Sequence, residues 1–338
     1  MDTLPEQFAG ALSRIEIKGE KRQRAVAAQT EIRELLERDN GLCAWGVDTV
    51  LIGSYARNTG IHPGKDVDVF VKLTELDTTA SPSGVYEAVR EVLVAEYGGR
   101  AQPQARSIKV SFDADGDGFS VDAVPAVRLG HRWAIPQRDP ALWIAGDALG
   151  RWVETDPEQL AKLTSELNDT LKVGSQGAYV PVVKLVRQAR CHHLGDAKPG
   201  GLFFELLSFW AFKTDIHGET FAELFAATLA ETSAQLEHGT QLLDPVLGRP
   251  FEPQPNAVER GLAATTFKEL AQKAERALTV GRCRAAVLWR EILGENDRGQ
   301  CFPLPPGCDE EGNEIRNVAA VAAVGSREAS GFASGRST

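Results

Sequence analysis

Three aspartates in this sequence have the residue type and spacing needed for chemistry on phosphates. Asp66 and Asp68 are separated by one residue among alternating valines, and Asp122 lies in a second strand-like segment. Side chains two residues apart on a strand point to the same face. Three carboxylates gathered on one face repel one another, so the arrangement makes sense around divalent cations. Mg²⁺ prefers such oxygen ligands and completes its shell with water or substrate phosphates.

The pair Gly53-Ser54 follows directly after a short β-branched segment. Glycine lets the backbone approach a phosphate closely, and the serine hydroxyl and nearby amides donate hydrogen bonds to its oxygens. Two metal ions about 3.5–4 Å apart beside such a turn activate an attacking hydroxyl and stabilise a leaving pyrophosphate. Either motif alone is common in turns and solvated strand ends, but their order and strand context make the combination specific. The reaction class they indicate is nucleotidyl transfer.

The elements that position these residues follow from hydrophobic spacing. Short runs rich in β-branched residues predict strands over residues 48–53, 66–71, 107–112 and 119–124, the last two forming a hairpin. Apolar residues at helical spacing predict helices over residues 22–39, 84–97, 157–173, 179–194, 201–213, 218–238 and 256–280. A mixed first half followed by a helical second half indicates an α+β fold.

This order of elements predicts three regions. Residues 1–155 are expected to form a catalytic core, with an N-terminal helix and a twisted mixed sheet that carries the aspartates. Residues 156–292 are expected to form a mostly helical lobe that completes a cleft. Residues 293–338 are rich in Pro, Gly and small polar residues, which predicts a flexible tail.

Charge and composition limit the partners. The chain of 338 residues has 37 Lys and Arg against 47 Asp and Glu, a net charge of −10. An acidic surface gains little from releasing phosphate counterions, so an extended nucleic-acid track is not expected. No apolar run approaches the roughly 20 residues of a bilayer span, and no secretory signal begins the chain. Five scattered cysteines favour a reducing compartment, so we expect a cytoplasmic protein without a membrane partner.

Residues 51–59, 65–71 and 121–126 resemble the core of the cGAS/DncV-like nucleotidyltransferases (CD-NTases), relatives of oligoadenylate synthase in the DNA polymerase β superfamily. The similarity covers roughly residues 20–290 and continues through 152–157, 179–186, 204–207 and Asp244-Pro245 followed by Asn256. It implies a bilobed polymerase β-like core with a mostly helical second lobe. It also implies a template-independent enzyme that makes a cyclic di- or trinucleotide in bacterial antiphage (CBASS) signalling.

The resemblance also implies substrates, metals and partners. ATP and other NTPs are the expected substrates, and a downstream effector is expected to read the cyclic product. Asp66 and Asp68 would hold two Mg²⁺ ions, for which Mn²⁺ can substitute, and Asp122 would complete the metal site that activates the acceptor hydroxyl. Gly53 and Ser54 would bind the donor triphosphate. The C-terminal tail is a candidate handle for a regulatory or conjugating partner.

Two basic residues are further candidates for binding the nucleotide. The resemblance implies that Lys184 reaches the donor phosphates, although a lysine in an apolar helix is by itself more often a snorkelling surface residue. Arg57 lies close to the Gly53-Ser54 turn, and nucleotide binding and an exposed surface charge are equally good interpretations of it. Arg187 either extends a basic wall of the cleft or is solvated.

The chain departs from the family pattern at one place, and two alternative functions remain open. Many family members have Lys-Ser where this chain has Gly200-Gly201, so a serine contact to the nucleotide is missing or replaced by backbone groups. One alternative is an enzyme with the same core that transfers a single nucleotide to a small molecule, a protein or an RNA end. The other is an inactive nucleotide-sensing module, against which the presence of all three aspartates argues.

Overall fold

The computed structural model describes residues 3–64, 66–112, 118–137, 151–214 and 216–315. The helices are α1 (Pro5–Ile15), α2 (Glu20–Arg38), α3 (Asn40–Ala44), α4 (Gly53–Ala56), α5 (Pro82–Tyr97), α6 (Pro157–Thr170), α7 (Tyr179–Leu194), α8 (Gly201–Lys213), α9 (Phe221–His238), α10 (Ala257–Ala277) and α11 (Arg282–Leu293). The strands are β1 (Val47–Ile52), β2 (Asp66–Asp77), β3 (Ala101–Pro103), β4 (Ile108–Ser111), β5 (Ser120–Leu129), β6 (Arg132–Gln137), β7 (Arg151–Thr155), β8 (Lys172–Val173), β9 (Gln176–Gly177), β10 (Glu295–Asn296) and β11 (Gly299–Gln300).

Seven strands form one mixed sheet. Its order is β1-β2-β5-β4-β3, and β6 and β7 extend it beside the second half of β5. Strands β2 and β5 run parallel, whereas β1 pairs with β2 in the antiparallel direction. The valines of β2 alternate to one side, where α2 and α5 cover them and form one hydrophobic core. The aspartates of β2 therefore point to the other side, away from those helices.

A second core lies among the helices of the second half, α6 to α11. Helix α1 also packs into this core, because Phe8 is fully buried and its ring lies 5.1 Å from the rings of Trp289 and Phe302. The fold is thus α+β, as predicted, with a sheet half and a helical half. Among the described helices, none is both long enough and apolar enough to cross a bilayer.

The structure corrects three expectations about the ends of the chain. Helix α1 packs with the helical half rather than the sheet, because its apolar face matches that core. The predicted flexible tail is wrong for residues 293–315, since Phe302 is buried in the same core and β10 pairs with β11. A disulfide joins Cys283 to Cys308 and ties this segment to α11, although the scattered cysteines favoured a reducing compartment, where disulfides are rare. Residues 316–338 lie outside the described residues.

The predicted elements of the middle of the chain are confirmed within a few residues. The predicted strand over 119–124 is longer than expected and continues to Leu129. Helices α1, α3 and α11 and strands β3 and β6 to β11 were not predicted. Most of the turn between β4 and β5, residues 113–117, lies outside the described residues.

Candidate active site

The Gly53-Ser54 turn begins where β1 ends. Gly53 has a φ of +70°, a region that glycine enters without steric cost. A Cβ atom on Gly53 would lie 1.9 Å from Oδ2 of Asp68, so the close approach also requires glycine. The amides of Thr59 and Gly60 donate to the carbonyl oxygen of Ser54 at 2.9 and 3.1 Å and close the turn. The turn and the carboxylate of Asp68 are therefore in direct contact.

Strand pairing brings the three aspartates together. Asp68 lies directly opposite Asp122 in the parallel pair of β2 and β5, and Asp66 lies opposite Ser120. Directly paired residues point to the same face of a sheet, so all three side chains share one face. Asp66 is exposed, whereas Asp68 and Asp122 are half-buried. Residues 54 positions apart in the chain thus become neighbours through the sheet.

The carboxylates repel one another. Burial, together with the charge of Asp66, raises the pKa of Asp68 to about 6, although Arg57 and Arg187 oppose the shift. Burial, followed by the charges of Asp68 and Asp66, raises the pKa of Asp122 to about 7. Such shifts are typical of carboxylates that share a site without a neutralising cation.

The carboxylate oxygens of the three aspartates are suitable ligands for a divalent cation. Oδ1 of Asp122 is buried and has no hydrogen-bond partner within the described part of the chain. A cation at this place would satisfy that oxygen and offset the repulsion among the three carboxylates, and an all-oxygen set suits Mg²⁺. No three acidic, His or Cys side chains in the described ranges form a ready-made metal cage. The residues therefore fit a cation chemically, and binding requires their side chains to converge.

A cavity of about 730 Å³ separates the sheet from the helical half. Gly53, Ser54, Asp66 and Asp68 line one side, and the other side is formed by residues of α7 and α8 and by β7 and the loop before α10. Among the described residues, Asp122 is not part of this lining. The cavity is large enough for a nucleotide, whose usual sites measure about 300–1,000 Å³. We refer to it as the main cavity.

The structure places Arg57 in the wall of the main cavity and buries it. Its Nε donates to Oε1 of Glu205 at 2.5 Å, and one terminal nitrogen donates to Oε2 at 3.3 Å. Glu205 belongs to α8, so this buried ion pair joins the sheet half to the helical half. The interpretation of Arg57 as an exposed surface charge is wrong.

Lys184 lies elsewhere. It is buried, and its Nζ donates to Oε1 of Glu16 at 3.0 Å. It lines a smaller cavity of about 210 Å³ together with Ser54, Lys18 and Arg22, and we refer to this as the side cavity. Ser54 lines both cavities, so Lys184 borders the turn from a different cavity than Asp66 and Asp68.

Sequence reasoning missed several charged groups at the site. Glu205 was noticed only as part of a resembling segment, although a single acidic residue in the apolar helix 201–213 is a usable signal. Glu16 ends the first helix and carried no local signal. Arginines Arg106, Arg151 and Arg249 line the main cavity and come from three separate segments.

The sequence and the fold are similar to those of known proteins. Residues 1–168 match the family described as the Second Messenger Oligonucleotide or Dinucleotide Synthetase domain. A cyclic AMP-AMP-AMP synthase from an Acinetobacter species is 26% identical, and the match covers 86% of this chain and 84% of that relative.

Solved structures share the fold. CdnC of E. coli MS115-1, solved with ATP, matches with a TM-score of 0.66 at 15% identity over 89% of this chain and 100% of that chain. The CD-NTase CdnG of Bradyrhizobium diazoefficiens, solved with GTP, matches with a TM-score of 0.64 at 15% identity over 82% of this chain and 92% of that one. CdnC is also solved in a complex with HORMA-deltaN, with a TM-score of 0.65 at 16% identity over 88% of this chain and 98% of that chain. The domain match, the related synthase and the shared fold agree with the aspartate-bearing sheet: the chain belongs to the cGAS/DncV-like nucleotidyltransferase (CD-NTase) family.

Proposed function

We propose that this enzyme, a nucleotidyltransferase, makes a cyclic di- or trinucleotide second messenger from NTPs without a template. One observation carries the proposal: Asp68 lies between Gly53 and Asp122, against the turn on one side and opposite the third carboxylate on the other. The proximity of Asp68 to the turn, and the presence of Asp66 and Asp68 in the lining of a cavity of nucleotide size, support this proposal. The related Acinetobacter protein is a cyclic AMP-AMP-AMP synthase, which supports ATP as a substrate.

In the proposed mechanism, the Gly53-Ser54 turn holds the donor triphosphate through its amides and the serine hydroxyl. Asp66 and Asp68 would hold two Mg²⁺ ions and Asp122 would complete one of the two sites; Mn²⁺ can substitute. CD-NTases generally use divalent metals, and the chemistry these ions supply is neutralisation of charge and activation of the acceptor hydroxyl. The carboxylates would fix the place where that hydroxyl attacks.

Two basic residues complete the proposed phosphate contacts. Lys184 shares the side cavity with Ser54, so a phosphate chain that crosses Ser54 comes within reach of its ammonium group. Arg57 is held by Glu205 in the wall of the main cavity, which supports a contact to the nucleotide from a fixed position. Both are proposed as ligands of the nucleotide rather than as groups that transfer protons.

The biological role we propose is bacterial antiphage (CBASS) signalling in the cytoplasm, where an effector binds the product. ATP and GTP in the related solved structures support NTP substrates, and the complex of CdnC with HORMA-deltaN supports a protein partner for this chain as well. The segment 293–315 is packed onto the helical half, so such a partner would meet a surface that is partly ordered.

The proposal is tested by identifying the product. Purified protein is incubated with labelled ATP, alone and with the other NTPs, in Mg²⁺ or Mn²⁺, then treated with phosphatase and analysed by mass spectrometry. Phosphatase-resistant cyclic nucleotides are expected. The variant Asp66→Asn with Asp68→Asn keeps the shape of both side chains and is expected to make none while remaining folded. A single nucleotide attached to an acceptor, or unchanged synthesis by the double variant, would contradict the proposal.

A further inference from the structure

Arg187 is a cation of the main cavity, and the sequence left open whether it extends a basic wall of the cleft or is solvated. It lies on α7, one turn after Lys184, and its side chain is 19% exposed and lines the same cavity as Asp66 and Asp68. Among the described residues, Glu205 is its only hydrogen-bond partner, through Nη1 at 3.4 Å from Oε2. A guanidinium has five N–H donors, so most of its donors remain available to a ligand in the cavity.

Glu205 accepts the hydrogen bond from Arg187 and is itself buried in the protein. Its carboxylate is 2% exposed and accepts hydrogen bonds from Arg57 and, at 3.0 Å, from the hydroxyl of Thr59. Burial by itself would raise the pKa of Glu205, but Arg57 and then Arg187 outweigh this effect and hold the pKa below its usual range. One negative charge thus faces two guanidinium groups, and the cluster keeps a net positive charge beside the cavity. Since Glu205 is locked by the pair to Arg57, it can orient Arg187.

Gly201 makes room for the guanidinium. A Cβ atom on Gly201 would lie 3.3 Å from Nη2 of Arg187, which is tighter than most Cβ contacts, and 3.5 Å from its Cζ, which is ordinary van der Waals contact. Gly201 is the first residue of α8, and its backbone is not in the left-handed region, so its conformation does not require glycine. The space taken by Arg187 therefore explains the glycine at this position.

We propose that Arg187 binds a phosphate group of the nucleotide held in the main cavity, oriented by Glu205 and accommodated by Gly201. The inference rests on the proposed function, because it assumes that this cavity holds the nucleotide. A phosphate suits the site for two reasons. The guanidinium is permanently charged and its planar N–H groups match phosphate oxygens. It also acts electrostatically on Asp68, so it faces the place where the negative phosphates would meet the aspartates.

The test measures binding without turnover. Isothermal titration calorimetry is carried out with a non-hydrolysable ATP analogue and, separately, with adenosine. Arg187→Gln is expected to weaken binding of the analogue by about 10- to 100-fold, the usual effect of losing a charged hydrogen bond, and to leave adenosine binding unchanged. The exposed Arg38→Gln is the control and is expected to change neither. Unchanged affinity of Arg187→Gln for the analogue, or an equal loss for adenosine, would overturn the proposal.

A double-mutant cycle tests whether Gly201 affects nucleotide binding by positioning Arg187 or by a general effect on the structure. Gly201→Ala is expected to weaken binding of the analogue about 3- to 10-fold in the wild-type background and to have no further effect in Arg187→Gln. Gly261→Ala is the matched control, because a Cβ on this helical glycine meets nothing within 4 Å. Equal effects of Gly201→Ala in both backgrounds would refute its role in placing Arg187.

Glu205→Gln keeps the size of the side chain and removes its charge. We expect weaker binding of the analogue with unchanged adenosine binding, and Glu205→Asp is expected to recover part of the loss. Because breaking a buried ion pair can unfold a protein, thermal unfolding is followed for each variant, and the Gly201 cycle stands independently of this result.

The two proposals fail in different ways. If the wild type makes cyclic nucleotides but Arg187→Gln binds the analogue normally, only the inference about Arg187 is wrong. If the wild type makes no product while Arg187→Gln still loses affinity for the analogue, Arg187 is a phosphate ligand and the proposed synthesis is wrong.

Discussion

Asp68 and Gly53 occupy adjoining space: a single carbon added to Gly53 would lie 1.9 Å from Oδ2 of Asp68. The carboxylate of Asp68 and the turn at Gly53 are therefore in close contact, with no room for a side chain between them. Gly53 also has a positive φ, so two separate physical requirements select glycine here.

Gly53→Ala is expected to reduce nucleotide synthesis by at least about 100-fold, because a displacement of Asp68 by about 1 Å misplaces the proposed metal ligands. Initial rates of pyrophosphate release measure this effect. Gly98→Ala is the matched control: Gly98 also has a positive φ, +55°, but a Cβ there meets nothing within 4 Å. We expect that variant to lose about 1–2 kcal/mol of stability and to keep its activity. Similar activity losses in both variants would show that strain, not contact with Asp68, is responsible.

The acidic cluster predicts how pH affects the metal-free protein. The pKa values of Asp68 and Asp122 are raised to about 6 and about 7, so their charged forms destabilise the fold. Their protonation stabilises the protein at low pH, and this contribution is lost as pH rises from about 4 to above 7. Without metal, Asp122→Asn is therefore expected to raise the melting temperature at pH 8 and to have little effect at pH 4.

The raised pKa values of Asp68 and Asp122 also predict that Mg²⁺ binds more tightly as pH rises. Metal binding requires ionised carboxylates, so the melting temperature gained on adding Mg²⁺ is expected to grow between pH 5 and pH 8. Differential scanning fluorimetry at several Mg²⁺ concentrations measures the gain. A gain that is independent of pH, or one that persists in Asp66→Asn with Asp68→Asn, would place the metal elsewhere.

The ion pair between Glu16 and Lys184 predicts competition with phosphate. Lys184 is buried and donates to Glu16, so this carboxylate competes with a phosphate for the ammonium group. Glu16→Gln is expected to strengthen binding of tripolyphosphate about 2- to 10-fold, since the amide competes less well for the ammonium group. Lys184→Gln is expected to weaken it. Calorimetry measures both, and Glu34→Gln, at an exposed ion pair on α2, is the control. Weaker binding in Glu16→Gln would indicate that the carboxylate helps to position Lys184 instead.

Helix α1 is predicted to be necessary for the stability of the helical half. Phe8 is fully buried and contacts Trp289 and Phe302 edge to face. Phe8→Ala is expected to lower the free energy of unfolding by about 3–5 kcal/mol, as removal of a buried phenylalanine usually does. Urea denaturation measures this loss. Val26→Ala, at a side chain that is 54% exposed, is expected to cost less than about 0.5 kcal/mol. A small effect of Phe8→Ala would show that α1 is not part of the core.

Much of the fold could be predicted where the local pattern is strong. Alternating valines in β2 and helical spacing in α2, α5 and α6 to α10 predicted these elements, because burial of one face imposes a period on the sequence. Strand β7 and helix α11 were missed. The two ends of the chain were misjudged for different reasons: Phe8, Leu12 and Ile15 recur at helical spacing, a signal that was overlooked, whereas nothing in the segment around Phe302 indicates that distant helices bury it.

The sequence by itself determined the chemical identity of the site: the aspartates on one strand face, the third aspartate on a later strand, and the glycine turn between β1 and β2. These are local properties, since a period of two and a flexible residue after a strand are visible in a few neighbouring positions. The tertiary structure alone decided which charges meet. Arg57 and Glu205 are 148 positions apart and form a buried pair, and Lys184 meets Glu16 across 168 positions. The first contact depends on how the sheet half packs against the helical half, and the second on how α1 packs against α7. Packing between distant segments leaves no periodic pattern in either of them.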